Sequence, residues 1–121
     1  MISSYKDLIV YQLSFNLVIE IYTLSKKFPN FEKYELGSQL RRAAVSVPAN
    51  IAEGWAKNRS PKEFLRFLDI SSGSCNELEV HLTIAKELGY ISNKEFSNLI
   101  AENTDIGAKL AVLKKRWISF K

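Results

Sequence analysis

Apolar residues recur at three-and-four spacing in four separate runs, and the breaks between the runs carry turn chemistry, so the chain is constrained to helices packing on helices. The breaks are Phe28-Pro29-Asn30, Asn58-Arg59-Ser60-Pro61 and Gly89-Tyr90-Ile91-Ser92. No segment alternates with a period of two, and no internal repeat or low-complexity tract competes. With 121 residues there is room for one domain, residues 1–121, around one core. The fold expected is all-α, an antiparallel up-down-up-down four-helix bundle.

The first helix is expected from near Ser4, whose hydroxyl caps while Asp7 answers from the first turn, to near Lys27. It is apolar on two sides. Leu8, Tyr11, Phe15, Val18 and Tyr22 form one stripe, and Leu13, Leu17, Ile21 and Leu24 form another. The second helix, about Lys33 to Trp55, carries Pro48 inside it, which removes a backbone donor and predicts a kink. Leu36, Leu40, Ala43, Val47 and Ile51 share its core face, whereas Gln39, Arg42, Ser46, Asn50 and Glu53 form a polar arc. Small apolar residues, Pro48 among them, fill most of the rest, so this helix should also be covered on two sides.

The third helix has Ser60 as N-cap, Pro61 at the first position and Glu63 to close a capping box, and it should end at Gly89. Phe64, Phe67, Leu68, Ser71, Cys75, Leu78, Leu82 and Ala85 fall on one face. The fourth repeats the device with Ser92 and Glu95. It then runs as a heptad seam through Phe96, Leu99, Asn103, Ile106, Leu110, Leu113 and Trp117, with Asn103 its one polar member.

Few residues here can do chemistry. His81 is the lone histidine and Cys75 the lone cysteine, so neither a disulfide nor a zinc knuckle can be built. Glu77 lies one turn before His81, a spacing better suited to a surface ion pair than to a metal site. The five glycines are scattered singly and match no phosphate-cradling loop. No catalytic residue, cofactor or metal is therefore expected. The opening MISSYKDLIVYQLSF lacks a basic n-region and a cleavage site, and Leu8 to Ile19 is too short to span a bilayer, so a cytoplasmic protein without membrane contact is expected.

The net charge of +4 is a mild lean, and its distribution matters more than its size. Arg41, Arg42, Lys57, Arg59, Lys62 and Arg66 cover the second helix, its loop and the start of the third helix, with only Glu53 and Glu63 among them. Cations of this kind neutralise phosphates and release counterions, and Trp55 is close enough in sequence to offer a stacking face. Arg59, Lys62 and Arg66 are the first choices for phosphate contact, with Lys57 beside them. Arg41 and Arg42 have a structural alternative: a buried arginine wants a carboxylate, and Glu77 is the natural partner, within or between chains.

The run Gln39-Leu40-Arg41-Arg42-Ala43-Ala44-Val45-Ser46-Val47-Pro48-Ala49-Asn50-Ile51-Ala52-Glu53-Gly54 closely resembles the signature of the four-helix-bundle proteins encoded in intervening sequences of bacterial 23S ribosomal RNA genes, also grouped as an S23 ribosomal protein family. Phe28-Pro29, Tyr34-Glu35-Leu36, Gly73-Ser74, Glu77-Leu78 and Leu88-Gly89-Tyr90 extend the resemblance over nearly the whole chain. The resemblance implies a bundle that assembles as a ring, typically a homopentamer. It also implies kinship with accessory proteins of diversity-generating retroelements, basic pentameric barrels that associate with nucleic acid and a reverse transcriptase. Pro48, Asn50, Glu53 and Glu77 are the candidates for structure and assembly. The function expected is a non-enzymatic oligomeric module binding RNA or other nucleic acid through a basic surface. The alternative is a scaffold that docks a protein, for example a reverse transcriptase, without touching nucleic acid.

Overall fold

The computed structural model describes residues 2–119, with side chains through Trp117. A 3-10 turn, Tyr5–Asp7, precedes α1 (Ile9–Ser25), the one-turn α2 (Asn30–Lys33), α3 (Leu36–Trp55), α4 (Pro61–Glu87) and α5 (Asn93–Ser119). Four long helices pack in chain order, α1 on α3, α3 on α4, α4 on α5, and α5 closes on α1. Short connections between neighbours make the arrangement antiparallel, an up-down-up-down bundle. No strand occurs among the described residues.

The Ser4 and Asp7 cap forms, but on a different element. Ser4 Oγ accepts from the Lys6 amide at 3.0 Å, and Asp7 Oδ2 accepts from the amides of Ser3 and Ser4 at 2.9 and 3.1 Å. The turn so capped is 3-10, and Leu8 then leaves helical space at φ −73°, ψ 127°, so α1 starts at Ile9 instead of near Ser4. Leu8 is thereby turned into the core, at 4% exposure. The second helix likewise begins at Leu36, because Lys33 closes the separate turn α2.

Burial of the third-helix face follows its spacing: Phe64, Phe67, Leu68, Ser71, Cys75, Leu78, Leu82 and Ala85 are all buried. Each large apolar side chain among them contributes about 1.5–3 kcal/mol of transfer free energy. The α5 seam is buried from Leu99 through Leu110, and Asn103 Nδ2 donates to the Cys75 carbonyl at 2.8 Å, linking α5 to α4. Burial pushes the Cys75 thiol up to about 11, so it stays protonated and packs as a small hydrophobe. α4 ends on a Schellman turn: Gly89 has φ 78°, its amide donates to the Lys86 carbonyl, and the Tyr90 amide donates to the Ala85 carbonyl.

α1 resolves into two unlike faces. Leu17, Ile21 and Leu24 are buried, whereas Phe15 and Tyr22 stand 47% and 45% exposed with Tyr11 and Val18 half-buried between them. Pro48 is buried inside α3, where its ring withholds a donor from the Ala44 carbonyl while the helix runs on to Trp55.

Candidate nucleic-acid interface

The connection from α3 to α4 is tightly wound. Lys57, Asn58 and Ser60 amides donate back to Gly54, Trp55 and Lys57 carbonyls at 2.9, 3.1 and 3.0 Å, so the loop is a chain of turns. Ser60 then caps α4 by accepting from the Glu63 amide at 3.3 Å. The expected capping box stays half-made, because Glu63 takes the guanidinium of Arg66 instead, Nε to Oε2 at 3.2 Å. That contact holds the Glu63 carboxyl below the usual carboxylate range. The Arg66 guanidinium also lies over the Phe67 ring, 4.5 Å from its centroid, and Lys57 reaches the same ring at 6.0 Å.

Lys57, Arg59 and Lys62 are exposed, and no carboxylate within salt-bridge distance faces them among the described residues. The cationic surface here is therefore Lys57, Arg59 and Lys62, with Arg66 partly neutralised beside them. Trp55 is half-buried on the core. Its ring packs edge-on against Phe64 and Trp117, at 5.8 and 5.9 Å between centroids, because an indole at the end of a bundle gains more by covering the core than by standing in water. Trp117 in turn carries the last turns of α5 to this end, where Arg116 lines a surface pocket with Asp7 and Lys109 instead of joining the loop cations.

Arg41 and Arg42 lie elsewhere. Sixteen residues of largely helical chain separate Arg41 from Lys57, about 24 Å at 1.5 Å per residue. Arg41 is half-buried between α1 and α3, Nη1 donating to Ser25 Oγ at 3.0 Å and Nη2 to the Lys33 carbonyl at 2.8 Å, with its guanidinium 5.8 Å from the Tyr22 ring centroid. Within the chain no carboxylate among the described residues reaches it; neutral oxygens accept its hydrogen bonds instead. Arg42 is exposed in a groove shared with Val45, Ala49 and Asn50. Glu77 makes no contact with either arginine within the chain and pairs with His81 Nε2 at 3.3 Å.

The remaining candidates separate by burial. Asn50 Nδ2 donates to the Ser46 carbonyl and hydroxyl at 2.8 and 3.0 Å, and Ser74 Oγ donates to Ser46 Oγ at 2.7 Å, so Asn50 belongs to a polar link between α3 and α4. Glu53 is exposed. Pro48 lines an apolar groove of about 210 Å³ with Tyr11, Phe15, Val18, Val45 and Ala52. No group of three or more His, Cys, Asp or Glu side chains is placed to hold a metal ion among the described residues. Likewise, no described helix is long and apolar enough to cross a membrane.

Comparison with known proteins adds a family and a fold. The family described as 23S rRNA-intervening sequence protein matches residues 6–112. Among solved structures the chain is similar to a protein of unknown function from the S23 ribosomal protein family of Bacteroides thetaiotaomicron. The TM-score is 0.81 at 26% identity, over 88% of this chain and 96% of that one. No curated protein matches.

Proposed function

The chain belongs to the 23S rRNA-intervening sequence protein family, and from that premise we propose that it is a self-associating, non-enzymatic bundle that holds structured RNA against the basic end formed by the α3–α4 loop. The observation that carries this reading is the pairing pattern at the loop: Glu63 is engaged by Arg66, while Lys57, Arg59 and Lys62 stand exposed around the capped turn with no carboxylate within salt-bridge distance among the described residues. Cations held in place without a protein partner are suited to phosphate.

Self-association is supported by two unlike apolar faces. One runs along α1 and α3 through Phe15, Val18, Val45 and Ala49; the other follows the outside of α4 through Ile70, Val80, Ile84 and Leu88, all exposed. Different patches that complement one another make a head-to-tail contact, which closes into a ring when the rotation allows. Arg42 stands on the first face and Glu77 on the second, so the pair unmade within one chain is available between chains. Five copies is what the family resemblance implies, and repetition of the basic end would raise the avidity of weak contacts.

The test is charge reversal of Arg59→Glu with Lys62→Glu. The paired variant should lose most of its affinity for a structured RNA and show a shallower salt slope, about one unit less for each phosphate contact removed. Unchanged affinity with salt-insensitive capture of a purified reverse transcriptase would favour the protein-docking scaffold.

A further inference from the structure

Phe31 and Tyr34 are 72% and 83% exposed, more than any other large hydrophobic residue described. Folding does not account for them, since rings left in water forgo the burial that stabilises every other aromatic cluster in the bundle. They stand three apart on α2 and its C-cap, a spacing that brings side chains onto one side of a helical turn with roughly 5–6 Å between Cβ atoms.

The ground beside them is cationic. Tyr34 lines a surface pocket of about 220 Å³ with Lys26, Lys33 and Arg41. Arg41 is immobilised by Ser25 and the Lys33 carbonyl, yet a guanidinium has five donors and keeps some to spare. Glu95 is bound by Lys27, whereas Glu32, which accepts the Tyr90 hydroxyl at 2.9 Å, and the exposed Glu35 keep their charge, so these three cations outnumber the two carboxylates beside them. Flat apolar faces next to cations in excess, none of them in a salt bridge among the described residues, match one ligand chemistry, a polyanion carrying flat rings.

We propose that Phe31 and Tyr34 form a stacking platform for unpaired nucleotides, with Lys26, Lys33 and Arg41 meeting the phosphates. This rests on the RNA-binding reading and deepens it by giving the protein a second, single-strand subsite at the opposite end of α3 from the loop cations, its Arg41 about 24 Å from Lys57. Paired bases have their faces occupied by neighbours, so the platform selects loops or overhangs.

The experiment is fluorescence anisotropy with a labelled oligouridylate, which does not pair with itself, alongside a labelled RNA duplex. Tyr34→Ala and Phe31→Ala should each weaken oligouridylate binding about ten-fold, the size of one lost base–aromatic stack, with the melting temperature unchanged. Lys33→Gln should lower the salt slope by about 0.7. Arg59→Glu with Lys62→Glu should weaken the duplex and leave the oligouridylate essentially unaffected. Duplex binding by the wild type without oligouridylate binding, or oligouridylate binding indifferent to both aromatic changes, overturns the platform alone. If neither RNA binds at low salt, the RNA-binding reading falls and the platform with it.

Discussion

The two ends of α3 use the same kinds of residue for opposite purposes. At the C-terminal end an aromatic residue closes the core, Trp55 against Phe64 and Trp117, and the cations stand outward on a capped loop. At the N-terminal end the cation turns inward, Arg41 held by Ser25 and a carbonyl, and the aromatics Phe31 and Tyr34 stand outward. A glycine enables each arrangement. A Cβ at Gly54 would lie 2.7 Å from the Phe67 Cβ, and one at Gly37 would lie 3.0 Å from Arg41 Nη1. The first neighbour is fixed to the backbone of α4; the second is the end of a hydrogen-bonded side chain, with the Glu32 carbonyl next at 3.2 Å. The contrast teaches that residue type alone does not say which group touches a ligand. The space next to it does.

The largest effect should come from Gly54→Ala, which forces α3 and α4 apart at the Phe67 contact and should cost about 2–3 kcal/mol in denaturant unfolding, beyond any gain in helix propensity. A loss below that of Gly37→Ala would break the comparison. Trp55→Ala should follow at about 2 kcal/mol, less than for a fully buried indole because Trp55 is only half-buried. Gly37→Ala should cost about 1 kcal/mol, with Arg41 displaced from its pocket and oligouridylate binding weakened.

The smallest effect sharpens the comparison by touching neither end. On α5, Glu102 is pushed up to about 7 from its ordinary 4.5 by burial and by Glu20 of α1. A carboxyl so raised tolerates the fold while protonated and costs stability once ionised. Stability should therefore fall as pH rises from about 5 through about 7, and Glu102→Gln should flatten the fall by up to about 1 kcal/mol, given partial solvent screening. RNA binding should be unchanged in that variant, measured at fixed pH.

Much of the scaffold could be read ahead because its cues are local. The Ser92 and Glu95 box, the Ser60 and Pro61 start and the Gly89 stop each depend on residues within one turn, and the buried face of α4 follows from its spacing alone. Where several choices compete locally, sequence was less informative. Ser4 and Asp7 cap a 3-10 turn because Leu8 gains more by leaving the helix to reach the core, and Glu63 leaves its box because Arg66 offers a charged donor. The binding residues were legible in part. Arg59 on the loop and Lys62 in the first turn of α4 stand exposed, whereas the packing of Trp55 on the core and the exposure of Tyr34 were not foreseen. Both concern tertiary space: the partner that covers Trp55 is Trp117, sixty-two residues away, and no described residue covers Tyr34, which is 83% exposed.

The most direct measurement is the salt dependence of wild-type affinity for a labelled structured RNA, from low to physiological ionic strength, on nuclease-treated protein. The account predicts tight binding at low salt that falls linearly in log affinity against log salt, with a slope corresponding to several phosphate contacts. Absence of binding at low salt, or affinity indifferent to salt, would contradict it and return Lys57, Arg59 and Lys62 to the role of a solvated loop.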